Sequence, residues 1–460
     1  MPSAFLNKFR TRSFRKHLVI NILLGMVIAG LMHYFHDLPL IHKAETAGID
    51  LLIKWNIGII QKPEESVPVV FLDIDEETYR KWGEPVVSPR DKLAKLVKFA
   101  RSGNPSIIVI DIDTSHSSTL DQPLTSAENA LLNSLQPDTA GDSEAGQSQI
   151  FIVSGFRANL EDKGGFPEKK LSLLDPAINK NAYIRRVSPL FDLDLDDQTV
   201  RRWRFFEPTC NDNIGDVIPS AQLISVAHIK KSTVTLDQAL NQYIPTDCSA
   251  QVGRGHRADS EDSAQTIYLG DLEILLGGDQ LSSRIIYTIP WKDDAIDTNR
   301  VGAIPHNGQL VPLVRQWSAH TITESQGPLD GSLFKDRIVV IGGSYFDSRD
   351  YHMTPIGMMP GALVIINSIQ SLLQFGNIER PPLQIIILLE LLLIILVSLI
   401  FTFTQTVLGG VLSSLVIIVA LLPSSFLVFR YGVWLDFALP LLAVIIHHLV
   451  AEWEAFFDKN

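Results

Sequence analysis

Cysteine is scarce in this sequence: its 460 residues include two, Cys210 and Cys248. No Cys-x-x-Cys or comparable spacing occurs, which excludes a zinc ribbon or finger. The P-loop and dinucleotide-binding glycine patterns are missing as well, and Gly342-Gly343-Ser344 matches neither. Positive charge is thin over most of the chain. The net charge is -12, yet Lys8, Arg10, Arg12, Arg15 and Lys16 stand in the first 17 residues with no acidic neighbour, leaving -17 for the remainder. Phosphate binding needs a basic surface, so nucleic acid is excluded as a partner of the large middle region. No Ser/His/Asp order with a nucleophile elbow supports hydrolysis.

What is abundant is hydrocarbon, gathered at both ends. The stretch 18–36 opens with LVINILLGMVIAGLMHYF, about 18 residues, enough to cross a bilayer core. It ends in bulky residues without a small-x-small cleavage site, so it reads as an uncleaved anchor and not as a signal peptide. Three further blocks, 383–403, 407–429 and 434–450, read as closing spans. Thr404, Gln405 and Thr406 alone separate the first two, which predicts a tight hairpin. The basic residues 1–17 predict a cytoplasmic start, an external segment 37–382 and a cytoplasmic tail 451–460. The setting is then the cytoplasmic (inner) membrane of a bacterium, crossed several times, with lipid as an obligate neighbour.

The external segment reads as α/β. Pro68–Ile74, Ser106–Ile112, Gln149–Ser154 and Arg337–Ile341 are short, nearly continuous apolar runs, the pattern of strands buried on both faces. Between the first two, SPRDKLAKLVKFARSG places Leu93, Leu96, Val97 and Ala100 on one helical face, with Ser88 or a neighbour as cap. Strand, helix, strand predicts a mainly parallel sheet in a three-layer domain. Polar stretches at about 114–148 and 185–265 read as insertions, and the second holds both cysteines. If that region is exported a disulfide is allowed, with two free thiols as the alternative; no spacing rule decides between them.

Aspartates give the sharpest cluster. Asp73 and Asp75 end one predicted strand and Asp111 and Asp113 the next, while Gly342, Gly343, Ser344 and Asp347 follow a third. Open parallel sheets bind ligands beyond these strand ends. A divalent cation could be held there by carboxylates; a raised-pKa carboxyl is the catalytic alternative. The plainer reading makes these aspartates helix caps and partners of Arg90 or Arg337. No cofactor is otherwise expected. Further on, Asp350, His352, Thr354-Pro355 and Pro360-Gly361 read as a rigid turn before a helix over Ala362–Phe375, with His352 a candidate titrating group. Within the membrane, Glu390 falls ~10 Å inside the second span at ~1.5 Å per residue. Arg430 is its expected partner, whereas His447 and His448 sit near the far end of the fourth span. Gly409, Gly410, Ser413 and Ser414 suit close helix contact within the bundle or in a homo-oligomer.

The order of parts resembles the CHASE2 family of bacterial extracellular sensor domains. The resemblance is carried by VVFLDIDEETYRKWGEPVVSPRDKLAKLVKF with SIIVIDI, then FKDRIVVIGGS, Asp350, Thr354-Pro355, Pro360-Gly361, Asn367 and Arg380-Pro381, set between one span and three. It departs from the family in having Ile365 where a histidine is usual and EPVVSPR in place of a tryptophan-rich turn. Most relatives continue into a cytoplasmic output domain, which this sequence lacks. The resemblance implies a membrane sensor subunit, not an enzyme, that signals through a separate protein partner. A constitutive scaffold subunit of an envelope complex is the alternative, and an envelope hydrolase using the acidic cluster a more distant one. In each case Phe334–Pro382 carries the chain from the last core strand into the membrane.

Overall fold

A computed structural model describes residues 12–35, 38–115, 123–136, 148–157, 165–248, 265–277, 281–325, 330–404 and 406–457. Lys8 and Arg10 of the basic cluster, Gln405 of the hairpin turn and much of the expected insertions (116–122, 137–147, 249–264) lie outside them. The chain forms two compact units. One holds the residues up to Trp55 and from Ile378 onward; the other is Asn56–Asn377. The expected external segment 37–382 therefore gives its first helix to the helical unit. Its first described helices are α1 (Arg12–Tyr34) and α2 (Pro39–Trp55).

The α/β unit is built on one six-stranded sheet. Its strands are β1 (Val69–Ile74), β2 (Ile107–Ile110), β3 (Gln149–Val153), β4 (Ile184–Val187), β5 (Val314–Ser318) and β6 (Ile338–Gly343), in the order β5-β1-β6-β2-β3-β4. Every neighbouring pair is parallel. After β1 come α3 (Glu76–Lys81) and α4 (Arg90–Ser102). Leu93, Leu96, Val97 and Ala100 of α4 are buried against Val70, Leu72, Ile108 and Ile110, each large side chain contributing ~1.5–3 kcal/mol. The cap differs from expectation: Pro89 precedes α4 and no side chain bonds its first turn. Proline supplies φ near -65° there and its missing N–H costs nothing. Gly103 caps the end of the helix, where a Cβ would overlap the Gly331 carbonyl and lie 2.7 Å from Phe334 Cβ. The same face carries α5 (Ser126–Ser134), closed by a Thr125/Glu128 capping box.

The stretch 185–265 departs most from its reading as a surface addition. Its first residues belong to β4, whose Ile184 and Val187 are buried and whose register runs from Ile150↔Ile184 to Val153↔Val187. Next come a hairpin of Phe206–Asn211 with Ile214–Pro219 and the helix α6 (Ala221–Ile229), buried from Ala221 to Ala227. A helix buried on all sides shows no amphipathic stripe, which is why its pattern is uninformative. A disulfide joins Cys210 to Cys248, with Cα atoms 5.8 Å apart.

After β5 the short α7 (Ala319–Thr323) leads toward β6. A hairpin follows, β7 (Tyr351–Thr354) with β8 (Gly357–Pro360), whose turn is Pro355-Ile356. The buried Thr354 closes it by donating from Oγ1 to the Gly357 carbonyl at 2.6 Å. Pro360 then opens α8 (Gly361–Phe375), every residue of which is buried. With α6, it forms the layer on the opposite face of the sheet. Ile365, where the family histidine is usual, is a packed core residue.

In the helical unit, α9 (Leu383–Phe403) and the stretch Leu408–Phe429 are long and apolar enough to cross a membrane, as is Phe14–Tyr34 within α1. The second of these comprises α10 (Thr406–Val416), a π-helical turn at Ile417–Leu421 and a last helical piece, Leu422–Phe429. The fourth element starts later than expected. Trp434–Phe437 precede α11 (Ala438–Phe457), and the Asp436 carboxylate accepts from the Ala438 and Leu439 amides at 2.8 and 3.2 Å. Asp436 thus caps the helix instead of lying within it.

Candidate functional site

The carboxyl ends of the central strands bring together part of the expected acidic cluster and disperse the rest. Asp73 is fully buried in β1. Its Oδ2 accepts from Gln316 Nε2 and Ser344 Oγ, both at 2.7 Å, while its Oδ1 is buried without a partner. Gln316 comes from β5 and Ser344 follows β6, the two neighbours of β1, so sheet order alone sets this triad. Burial pushes the Asp73 carboxyl up to about 7; the Ser344 and Gln316 hydrogen bonds pull it partway back, and the Asp75 charge adds to the rise. Tyr351 of β7 donates from its hydroxyl to the Ser344 carbonyl at 2.6 Å. Its own pKa is pushed up to about 12 by burial, then by the Asp294 and Asp73 charges.

Asp111, just past β2, is half-buried as a residue, but its Oδ2 is wholly enclosed and unpartnered. Desolvation, followed by repulsion from Asp350, holds its pKa well above the ordinary carboxylate range. Glycines let these groups approach. A Cβ at Gly342 would fall 2.6 Å from the Ala362 Cβ and 3.6 Å from Asp111 Oδ2. One at Gly361 would overlap the Asp350 carboxylate, which therefore lies over the first residue of α8. A negative charge there is favoured by the helix dipole. Asp350 Oδ1 is also 3.0 Å from His352 Nε2, and its side chain remains 44 % exposed. Of the two carboxylates that face each other here, Asp350 is the more exposed.

The other acidic residues are spent locally. Asp75 caps α3, accepting at Oδ1 from the Thr78 amide and hydroxyl at 2.8 and 2.6 Å. Asp113 accepts from the Ser115 amide at 2.7 Å, and its carbonyl takes a bond from Arg90 at 3.2 Å. Arg337 lies at the opposite end of β6 and reaches none of them. Asp347 accepts from the Tyr79 hydroxyl at 3.3 Å, beside a stacked Tyr79–Tyr345 pair. Gly343 contributes backbone only. Among the described residues no three His, Cys, Asp or Glu side chains gather as a metal site, so the divalent-cation reading gains no ligand set. Gln316 and Tyr351 were missed by sequence reasoning. The cue for Gln316 was a polar residue in VRQWS, a run too polar to read as a buried strand.

Beyond these strand ends, where a crevice would take a ligand, three large apolar side chains face solvent, and Met353 and Met358 pair across the hairpin. Phe346 is 78 % exposed, Met358 51 % and Met353 45 %. Clustered exposed apolar side chains of this kind mark contact sites.

In the helical unit, the partner of Glu390 is His33 near the end of α1, with Nε2 and Oε1 2.9 Å apart, and not Arg430. A residue of the first span faces α9 at that level, and pairwise matching within the closing spans could not reveal it. Gly409 and Gly410 admit Phe401 and His448 respectively, so the small residues serve contacts inside the bundle.

The sequence model of the CHASE2 domain matches residues 22–403. No curated protein and no solved structure matches the chain. CHASE2 domains are extracellular sensor modules, sensory and not catalytic, and the apolar helices make this a membrane protein. With the match spanning most of its length, the chain belongs to the CHASE2 family.

Proposed function

We propose that this protein is the sensing subunit of a signalling complex in a bacterial inner membrane, with Asn56–Asn377 held outside. Its stimulus is a protein surface that engages the strand-end crevice, and a separate partner reads the response. The observation that carries this reading is the position of Asp350. Its carboxylate is half-exposed, lies over Gly361 at the start of α8 and repels Asp111, whose Oδ2 is enclosed. A basic group brought to Asp350 would relieve that repulsion and alter the charge over α8, whose C-terminus is followed within eight residues by the first residue of α9. The apolar rim of Phe346, Met353 and Met358 favours a protein over a small solute as the stimulus. An equilibrium shifts only by the difference in affinity for its two states, so the rim must be engaged differently in each. The connection between α9 and α10 is too short to fold as an output module, in keeping with output from a partner.

The test is cross-linking and mild-detergent purification of the full chain from its native membrane, followed by mass spectrometry. A partner captured by the wild type and reduced in both Asp350→Asn and Phe346→Ser supports the reading. Capture unchanged in both variants favours the constitutive scaffold, and no capture at all sinks output in trans.

A further inference from the structure

A second site lies inside the helical unit. A cavity of about 90 Å³ opens between α1, α9 and α11, lined largely by Gly25, Ile28, Met32, Leu393, Val397 and Val444. Four polar side chains break this lining, one of them the buried Ser398. His33 and Glu390, bonded to each other and 58 % and 34 % exposed, stand on one side. His447 stands on the other. It is 3 % exposed and both ring nitrogens are enclosed without a hydrogen-bond partner. The sequence places His447 near the far end of a span over 434–450; because α11 runs from Ala438 to Phe457, it comes at the middle of the helix and borders the same space as Glu390.

An imidazole with neither nitrogen satisfied in a dry site is costly, since the desolvation of each polar atom goes uncompensated. Water can repair such a loss only with several polar partners around it, and His33, Glu390 and Ser398 are the other polar side chains in a lining that is otherwise apolar. The cavity is partly open, so a molecule dissolved in the bilayer could enter with part of its length left outside. We propose that it binds the head of an uncharged, membrane-dissolved amphiphile, a hydroxyl or carbonyl on an apolar body, hydrogen-bonded to His447. Charge argues for a neutral head. Glu390 disfavours a carboxylate nearby, and a cation would have to compete with His33 for the Glu390 carboxylate. The volume is below the ~150 Å³ that holds a benzene ring in an engineered cavity, so the head and first carbons fit while the tail runs into lipid. The inference requires these helices to lie in a bilayer and does not depend on the strand-end crevice.

The test is photolabelling of the full chain in lipid nanodiscs with diazirine-bearing hexadecanol, against diazirine-bearing hexadecane and hexadecanoate. Saturable labelling by the alcohol is expected on peptides covering 25–33 and 439–447, competed by unlabelled hexadecanol. In His447→Leu the alcohol should bind about tenfold more weakly, equivalent to ~1.4 kcal/mol. Ala443→Phe, which fills the cavity, should abolish labelling, and Ala29→Leu is the milder filler should that protein fail to fold. Equal labelling by alcohol and alkane, or non-saturable labelling spread over outward residues such as Leu388 and Leu392, would overturn the proposal. Preferential labelling by hexadecanoate would overturn its neutral-head part.

Discussion

Helices α8 and α9 follow one another in the chain and are both strongly apolar, yet different media cover them. All fifteen residues of α8 are buried in protein, whereas α9 buries Val397, Ser398 and Phe401 out of 21. In α8 the polar side chains are inside and tied to backbone. Asn367 accepts from the Thr288 and Ile289 amides at 3.1 and 2.9 Å and donates to the Ile289 and Leu363 carbonyls. Gln370 donates to the Val67 carbonyl, and Ser371 accepts from the Ile286 amide. In α9, Leu388, Leu392 and Ile395 point outward, 66, 63 and 47 % exposed. A hydropathy scale scores a leucine alike whether protein or lipid surrounds it. What separates the two helices is length, since fifteen residues at ~1.5 Å each cannot cross ~30 Å of hydrocarbon, and polar residues that need fixed partners.

The comparison can be broken at its strongest point by Asn367→Ala, which strands two buried amides and a carbonyl. A loss of ~4 kcal/mol or more is expected in denaturant unfolding of the detergent-solubilised protein; a loss below ~1 kcal/mol would mean that these bonds do not anchor α8. Next is the pair Leu372→Ala and Leu392→Ala. Truncation in α8 should cost ~3 kcal/mol and the outward change in α9 well under ~1 kcal/mol. Equal costs would erase the distinction between the two media.

Asp73 sharpens the α/β side. Its carboxyl is held at about 7 against an ordinary 3.8, so the folded state keeps a proton that the unfolded chain releases. The stability this contributes is full below pH ~4 and is lost as pH rises through ~7. Asp73→Asn removes that slope. Its unfolding free energy should gain on the wild type between pH 4 and 8 by on the order of 2–4 kcal/mol, and a pH-independent difference would refute the burial argument. The smallest effect belongs to the helical unit. Glu390→Gln preserves shape and one hydrogen bond to His33, so a shift of ~1 kcal/mol or less is expected in thermal unfolding in detergent. A larger loss would mark Glu390 as more than a helix contact.

Sequence reading recovered the fold where burial was uniform. The apolar runs of β1, β2, β3 and β6 mapped onto central strands, and the α4 face onto the core. It missed β4 and β5 because IRRV and VRQWS carry polar residues into the flanks of the sheet, and α6 because complete burial removes periodicity. In the site, an Asp-x-Asp repeat hides a division of labour. Residues two apart share a face only while the strand continues; the first strand ends at Ile74 and the second at Ile110, so Asp73 and Asp111 stay against the sheet while Asp75 and Asp113 hold the turns that follow. No spacing rule tells the first of such a pair from the second. His33 and Glu390 are 357 residues apart in sequence, and nothing local to either names the other.

The strand order has a consequence for how the molecule is made. β6 enters the sheet between β1 and β2, although about 230 residues of chain separate it from the nearer of them. Until Ile338–Gly343 emerges, β1 and β2 have no neighbour on their facing edges, and Asp73 lacks Ser344. During synthesis the α/β unit therefore passes through a long period with two open edges, the arrangement most prone to pairing with the wrong chain. Its last strand arrives only ~40 residues before α9, at ~5–20 residues per second a matter of seconds. Completion of the domain and delivery of its closing spans are thereby compressed into nearly one event, which makes this stage the one where a holdase would most improve the yield.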